Sequence, residues 1–330
     1  MMDQLYPLKF KPQIFDKIWG GPRLKDILGK PTKSIKAGES WEISCVEGHI
    51  SVVENGELKG NSLEELAEIY MSELLGDRIF EKFGRLFPLL IKFIDANDKL
   101  SIQVHPDDEL AEKRHGSFGK TEMWYVVGAD PGAELITGFN RKTDRETFLG
   151  HLNNKKLTDI LNTEPVKAGD VFFLPAGRVH AIGAGILLAE IQQTSDVTYR
   201  IYDFDRPDEK GNLRDLHTGL ALDAIDYNYY ENYRTAYTSK KDQPNPLVHC
   251  RYFTTNLLEL TKPFKKDITW LDCFVIYMCL DGKGIVTSPG NEDIPIKKGE
   301  TVLIPASLTH YAIQPAEDMK LLEVYVDEEE

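Results

Sequence analysis

The 330-residue chain carries 39 basic and 53 acidic residues, a formal net charge of −14. That balance, without a long basic stripe, excludes a generic nucleic-acid or anionic-membrane binder, and 42% apolar against 28% charged residues excludes global disorder. The longest apolar run, Phe274–Leu280 with Cys273 before it, is eight residues, far short of the ~20 that span a bilayer.

In chain order, Met1–Pro12 lacks the apolar core of a secretion signal. Ser62, with Glu65 three residues on, forms a capping-box signature ahead of Leu63, Leu66, Ile69, Tyr70 and Leu74 at helical spacing. Short β-branched or aromatic runs then follow one another: Leu89–Ile94, Leu100–Val104, Trp124–Val127, Val171–Leu174, Ile186–Ile191, Phe274–Leu280 and Thr301–Ile304. Their length and the Gly, Pro, Asn and Asp between them predict a sandwich or barrel rather than alternating β and α units. A second helix is expected from Thr143 towards Leu161 and a third between Leu216 and Ile225. Thr238–Pro246 is polar and proline-containing and reads as a linker, which places a domain boundary near residue 240. The four cysteines (Cys45, Cys250, Cys273, Cys279) form no C-x-x-C pair and read as free thiols in a reducing, cytoplasmic setting.

An internal repeat organises the second part of the chain. Lys167, Gly169, Asp170, Pro175, Ala176 and His180 recur 130 residues later as Lys297, Gly299, Glu300, Pro305, Ala306 and His310, each copy enclosing an apolar strand. Two related β-barrel halves follow from it.

The first half carries the chemistry. Gln103 and His105 lie two apart on an alternating strand and look into one space. Glu122 begins the run Met123–Val127, and His180 follows the turn Pro175–Gly177. Two imidazoles, a carboxylate and an amide oxygen make a shell for a divalent metal; such donors suit zinc, iron or manganese, and the lack of cysteine ligands disfavours a closed structural zinc site.

Gly169-x5-Pro175-x-Gly177-x2-His180 resembles the second metal motif of cupins, and Gln103-x-His105 with Glu122-x5-Gly128 resembles the first. Within cupins, SIQVHPDD (101–108), Lys120-Thr121-Glu122, and Glu190 followed by Arg200 resemble the type I mannose-6-phosphate isomerase family in its short bacterial form. The chain departs from the general cupin pattern at Gln103, where a histidine is usual but this family has glutamine, and at Ala184, near the usual place of an asparagine. The resemblance implies a mainly β bicupin, two jelly-roll barrel halves with short helical insertions. Residues 1–240 would be the catalytic domain and 241–330 a degenerate second half. It also implies one Zn²⁺ per chain, held by Gln103, His105, Glu122 and His180. The implied reaction interconverts mannose 6-phosphate and fructose 6-phosphate by proton transfer between C1 and C2 through an enediolate.

Arg200 stands where the family places its active-site arginine; the bland reading is an ion pair to Asp203 or Asp205. Glu190 is either the general base or an acceptor that orients Arg200 or a ligand. Lys120 shares the face of Glu122 and would bind a sugar hydroxyl, assist proton transfer or balance charge. Because the whole chain is acidic, the phosphate of a sugar phosphate needs local cations. Ser101, Lys120, Arg200 and Arg206 are the candidates. Trp19 and Trp41 read as core or rim, with Glu42 near the site. His310 lacks the rest of the shell, so the second half is expected to pack against the first. Two rivals remain at this stage: an iron-dependent cupin dioxygenase and a non-catalytic sugar-binding cupin.

Overall fold

The computed structural model describes residues 5–207 and 211–327. Strands dominate. Five run in the order Ala37–Ile43, Leu89–Ala96, Ile186–Gln193, Glu122–Ala129, Val171–Leu174, with Gln13–Gly21 added outside the first, as one six-stranded antiparallel sheet. A five-stranded sheet faces it, ordered Tyr199–Tyr202, Ile102–Val104, His180–Ala181, Glu134–Phe139, Leu161–Pro165. The C-terminal part repeats the arrangement with a five-stranded sheet (Pro244–His249, Thr254–Leu260, Met319–Tyr325, Val275–Asp281, Thr301–Ile304) and a four-stranded one (Phe264–Asp267, His310–Pro315, Lys283–Thr287, Ile294–Lys297). Among the described residues no ladder closes either sheet pair into a hydrogen-bonded barrel.

Why the central strands read as continuous apolar runs is now plain. All eight residues of Leu89–Ala96 and of Ile186–Gln193 are buried, because both faces of the sheet are covered. Leu89, Ile91, Phe93, Leu187, Ala189 and Ile191 face a core shared with the C-terminal sheets, including Phe274, Ile276, Met278 and Leu322. Ile94, Ile186 and Leu188 face the opposite way, against Leu135 of the smaller sheet and Ile182 just after its strand His180–Ala181. The charged members of those two strands are Lys92, Asp95 and Glu190; Asp95 turns to Arg23, while Lys92 and Glu190 lie on the face turned away from the shared core. Strand alternation aims Lys92 and Glu190 at the interior between the first pair of sheets.

The capped helix Leu63–Tyr70 forms as expected, with Ser62 and Glu65 exchanging both hydrogen bonds. It stops at Met71, whose φ of 47° breaks the run, so Leu74 belongs to a separate turn, Ser72–Leu75. The second helix is shorter than expected: it covers Arg145–Asn153, is capped by Asp144 rather than Thr143, and gives way to a 3₁₀ turn at Leu157–Ile160. The third is Thr218–Ala224. An unexpected helix, Asp108–His115, starts on the Asp107 side chain and ends on left-handed Gly116. The linker reading is corrected in part, because Pro244–His249 is an edge strand, where a proline costs no ladder hydrogen bond. The N-terminal segment also crosses to the C-terminal sheets, Leu8 and Leu303 exchanging backbone hydrogen bonds of 2.8 and 2.9 Å.

Candidate metal centre and active site

Three backbone features bring the donors together. Gln103 pairs directly with His180 across the smaller sheet. Gly177, at φ 88°, turns the chain into His180 while its N–H donates to the His105 carbonyl at 2.9 Å; an added Cβ there would stand 2.9 Å from the Ala224 carbonyl oxygen. Glu122 opens its strand opposite Leu174 and Gln192, pointing inward with Trp124 two residues on.

His105, Glu122 and His180 are all buried, with ligand atoms mutually within 4.8 Å. Glu122 Oε1 is 3.2 Å from His180 Nε2, and Glu122 Oε2 is 3.6 Å from His105 Nε2. The Gln103 side-chain amide lies 3.3 Å from His180 Nε2. Four donors at ~2.05 Å from one tetrahedral cation stand about 3.3 Å apart, which is this spacing. Each imidazole is oriented from behind: His105 Nδ1 faces the Val197 carbonyl at 2.9 Å, and His180 Nδ1 faces that of Arg178 at 2.8 Å. With the proton on Nδ1, both Nε2 lone pairs enter the cavity. Burial first, then the nearby Lys120, hold His105 well below the usual histidine range, and burial foremost brings His180 down to about 4, so both are neutral and ready to coordinate. Burial, with the Glu190 charge behind it, pushes Glu122 up.

His105 Nε2 and both Glu122 oxygens have no hydrogen-bond partner. A buried polar atom left unpaired costs about 1–3 kcal/mol, and three meeting at one point fit a cation that would satisfy them all.

Around this cluster lies a network of buried charge. Lys92 Nζ is 3.2 Å from Glu190 Oε1, an ion pair with both side chains under one-tenth exposed, and Trp124 Nε1 donates to Glu190 Oε2 at 2.8 Å. Burial alone would raise Glu190, but Lys92 and Lys120 outweigh it and hold the carboxyl below its usual range. Glu39 is likewise held at about 2, Lys92 and Lys17 overcoming its burial. Lys120 Nζ sits 3.5 Å from Glu122 Oε2.

Lys17, Glu39, Lys92, Lys120 and Glu190 line a cleft of about 360 Å³ together with Trp19, Trp41, Ser101, Gln103 and Arg200. Trp19 is core at its floor, while Trp41 at its wall donates Nε1 to Glu39 at 2.7 Å. Arg200 stands opposite Gln103 on the neighbouring strand and donates Nη1 to the Asp215 carbonyl. It has no carboxylate within 4 Å among the described residues. The proposed ion pairs do not form, because Asp203 is taken by Arg206 and Arg214, and Asp205 by Lys155. Desolvation and the neighbouring Arg214 charge lower the Arg200 pKa. Two expectations fail here. Arg206 spends its guanidinium on Asp98, Asp203 and the Lys99 carbonyl, outside the cleft. Glu42 is sealed elsewhere, against Lys30 and Ser40 at 2.6 Å each. Sequence reasoning passed over Lys92, Glu39, Lys17 and Arg214. A lone lysine inside Leu89–Ile94 was the available signal, since a charge buried on a central strand needs a partner.

The repeated turn does not repeat its histidine's direction. His310 pairs with Asp267 as His180 pairs with Gln103, yet its side chain is 61% exposed, and the buried neighbour is Tyr311. Ser307 replaces Gly177 and does not take its left-handed conformation. The parity of the strand is shifted by one residue, and every side chain changes face. Glu122 corresponds to Val275 by its pairing opposite the Leu174 and Ile304 positions. The C-terminal interior holds instead a satisfied cluster in which Glu323 meets Lys266 (2.6 Å), Tyr277 (2.7 Å) and Asn256 (3.0 Å).

Comparison with known proteins agrees with this geometry. A family model described as "Phosphomannose isomerase type I, catalytic domain" matches residues 7–125, and "Mannose-6-phosphate isomerase, cupin domain" matches 245–326. Mannose-6-phosphate isomerase of Streptococcus mutans is 39% identical over 303 residues, 92% of this chain and 93% of that protein. Mannose-6-phosphate isomerase ManA of Bacillus subtilis is 36% identical, covering 93% and 96%. The crystal structure of the mannose 6-phosphate isomerase from Bacillus subtilis superposes with a TM-score of 0.87 at 31% identity over 97% of this chain and 99% of that one. Nearly full-length identity of this order, together with the buried His–Glu–His cluster, means that the chain belongs to the type I phosphomannose isomerase family.

Proposed function

We propose that the chain interconverts mannose 6-phosphate and fructose 6-phosphate, with Gln103, His105, Glu122 and His180 holding one Zn²⁺. The observation that carries this reading is the meeting of three buried donor atoms without hydrogen-bond partners, from His105 and Glu122, beside His180 and next to Gln103, Lys120 and Glu190 of a cation-rich cleft. Rotation of the Gln103 amide presents its oxygen to the same point as the other donors. Bound there, zinc supplies Lewis acidity to the sugar's C1 and C2 oxygens.

The chain's own residues supply the rest. Glu190, kept ionised by Lys92 at 3.2 Å from its Oε1, is the carboxylate proposed to take the proton. Lys92 and Lys120 hold positive charge beside the developing enediolate, and Arg200, without a carboxylate of its own, adds to it from the cleft wall. Trp19, Trp41 and Phe15 line the cleft and exclude water from the reacting atoms. Ser101, Lys120, Arg200 and Arg214 are the groups lining the cleft that suit the phosphate. No helix among the described residues is long and apolar enough to cross a membrane.

We read residues 1–240 as the catalytic half of a bicupin and 241–330 as its degenerate partner, supported by the matching strand orders of the two sheet pairs. The alternatives separate in one assay. Conversion of mannose 6-phosphate, coupled to detection of fructose 6-phosphate, should proceed, stop on chelation and return with Zn²⁺. Oxygen uptake instead would indicate the dioxygenase, and binding without proton exchange at C2 in D₂O a sugar-binding protein.

A further inference from the structure

One carboxylate outside the cleft ties together several of the segments that bear site groups. Asp108 lies three residues after His105. Its Oδ1 accepts from Gly119 N (2.9 Å) and from Gln193 Nε2 (2.8 Å), and its Oδ2 accepts from the hydroxyl of Tyr252 (2.7 Å). Gln193 lies three residues after Glu190, and its Oε1 accepts the backbone N–H of Thr121 at 2.8 Å. Thr121 stands between Lys120 and Glu122, and its hydroxyl accepts from Ala176 N in the turn before His180. Gln193, Thr121 and Lys120 are all buried, so the Thr121–Gln193 bond does not compete with bulk water, while the bonds of Asp108 to Gln193 and Tyr252 are part-buried. Tyr252 comes from the C-terminal sheets, in the turn between Pro244–His249 and Thr254–Leu260.

We propose that Tyr252, Asp108 and Gln193 form a clasp through which the C-terminal half positions the Lys120–Glu122 segment for isomerisation, making Tyr252 a positioning residue. The inference rests on the functional reading above. The degenerate half is then more than a cover for the back of the sheet. Its hydroxyl fixes the Asp108 carboxylate, that carboxylate fixes the Gln193 amide, and the amide fixes the height of the peptide that carries both Lys120 and Glu122. A shift of a fraction of an ångström there misplaces a metal donor and a cation together.

The test uses the full-length, zinc-loaded protein. Tyr252→Phe keeps the ring and removes the hydroxyl; it should lower kcat roughly 10-fold with KM within about twofold, in the range of groups that orient metal ligands. Asp108→Asn should lower kcat at least as much, and the double variant should be no slower than the slower single one, because both act through one chain of bonds. Zinc affinity of metal-stripped Tyr252→Phe, read by competition with a chromogenic chelator, should weaken roughly 10-fold as well. A kcat within twofold of wild type in Tyr252→Phe, or multiplicative losses in the double variant, would overturn the clasp. If wild type itself fails to convert mannose 6-phosphate, the functional reading falls, and unchanged zinc affinity in Tyr252→Phe would then refute the clasp separately.

Discussion

Replacing Lys92 by methionine removes the ammonium and keeps the stem that packs beside Trp41, whose ring centre is 4.9 Å from Nζ. At the 3.2 Å separation from Glu190, an effective dielectric constant near 20 gives a gross attraction of about 5 kcal/mol. The net loss is smaller, because a buried carboxylate without its cation takes up a proton. From an ordinary value of 4.5, protonation costs about 3.4 kcal/mol at pH 7 and about 1.4 kcal/mol at pH 5.5, and these set the ceiling on destabilisation. The sign follows from linkage. In wild type, Glu190 is depressed and contributes stability above its unfolded value that is lost as the pH falls through the folded one. In the variant the folded value is raised, so the penalty grows with pH. Thermal scans of zinc-saturated protein should show a midpoint lowered by up to about 5 °C at pH 7 and by up to about 2 °C at pH 5.5. A difference that is independent of pH, or that widens towards acid, would refute the assignment of Lys92 as the counter-charge of Glu190.

Arg200→Ala should retain one zinc per chain and its thermal midpoint while turnover falls roughly 100-fold or more, as for other groups that stabilise developing charge; turnover near wild type would remove Arg200 from the chemistry. His310→Ala should leave turnover within about twofold and stability within about 0.5 kcal/mol, since that side chain is exposed and its nearest acid, Asp267, is 3.7 Å away. A large loss of turnover would mean that the C-terminal histidine takes part after all.

The candidate metal-binding cluster was legible because its members depended on local features. Alternation placed Gln103 and His105 on one face, and the Pro175–Gly177 turn aimed His180. The Ser62–Glu65 capping box was local too, and its helix formed where expected. What escaped depended on distant partners or on the parity of a strand. Lys92, Glu190 and Glu39 come from three strands, and although the lone lysine calls for a partner, nothing in its own strand says which. His310 matched His180 in every motif residue but the turn glycine, and one residue of parity turned it to the solvent. The helix Asp108–His115 has only Ala111 buried and shows no apolar stripe, yet Asp107 and Gly116 were its capping signals. Tyr252 could not have been connected to Asp108 from spacing alone, 144 residues away.

The central claim is that a single cation sits among Gln103, His105, Glu122 and His180. X-ray absorption at the zinc edge of the loaded protein tests it most directly. Four light-atom ligands at roughly 2.0–2.1 Å, with the multiple scattering of two imidazoles, are expected. Sulfur at about 2.3 Å, or scattering from fewer than two imidazoles, would contradict it.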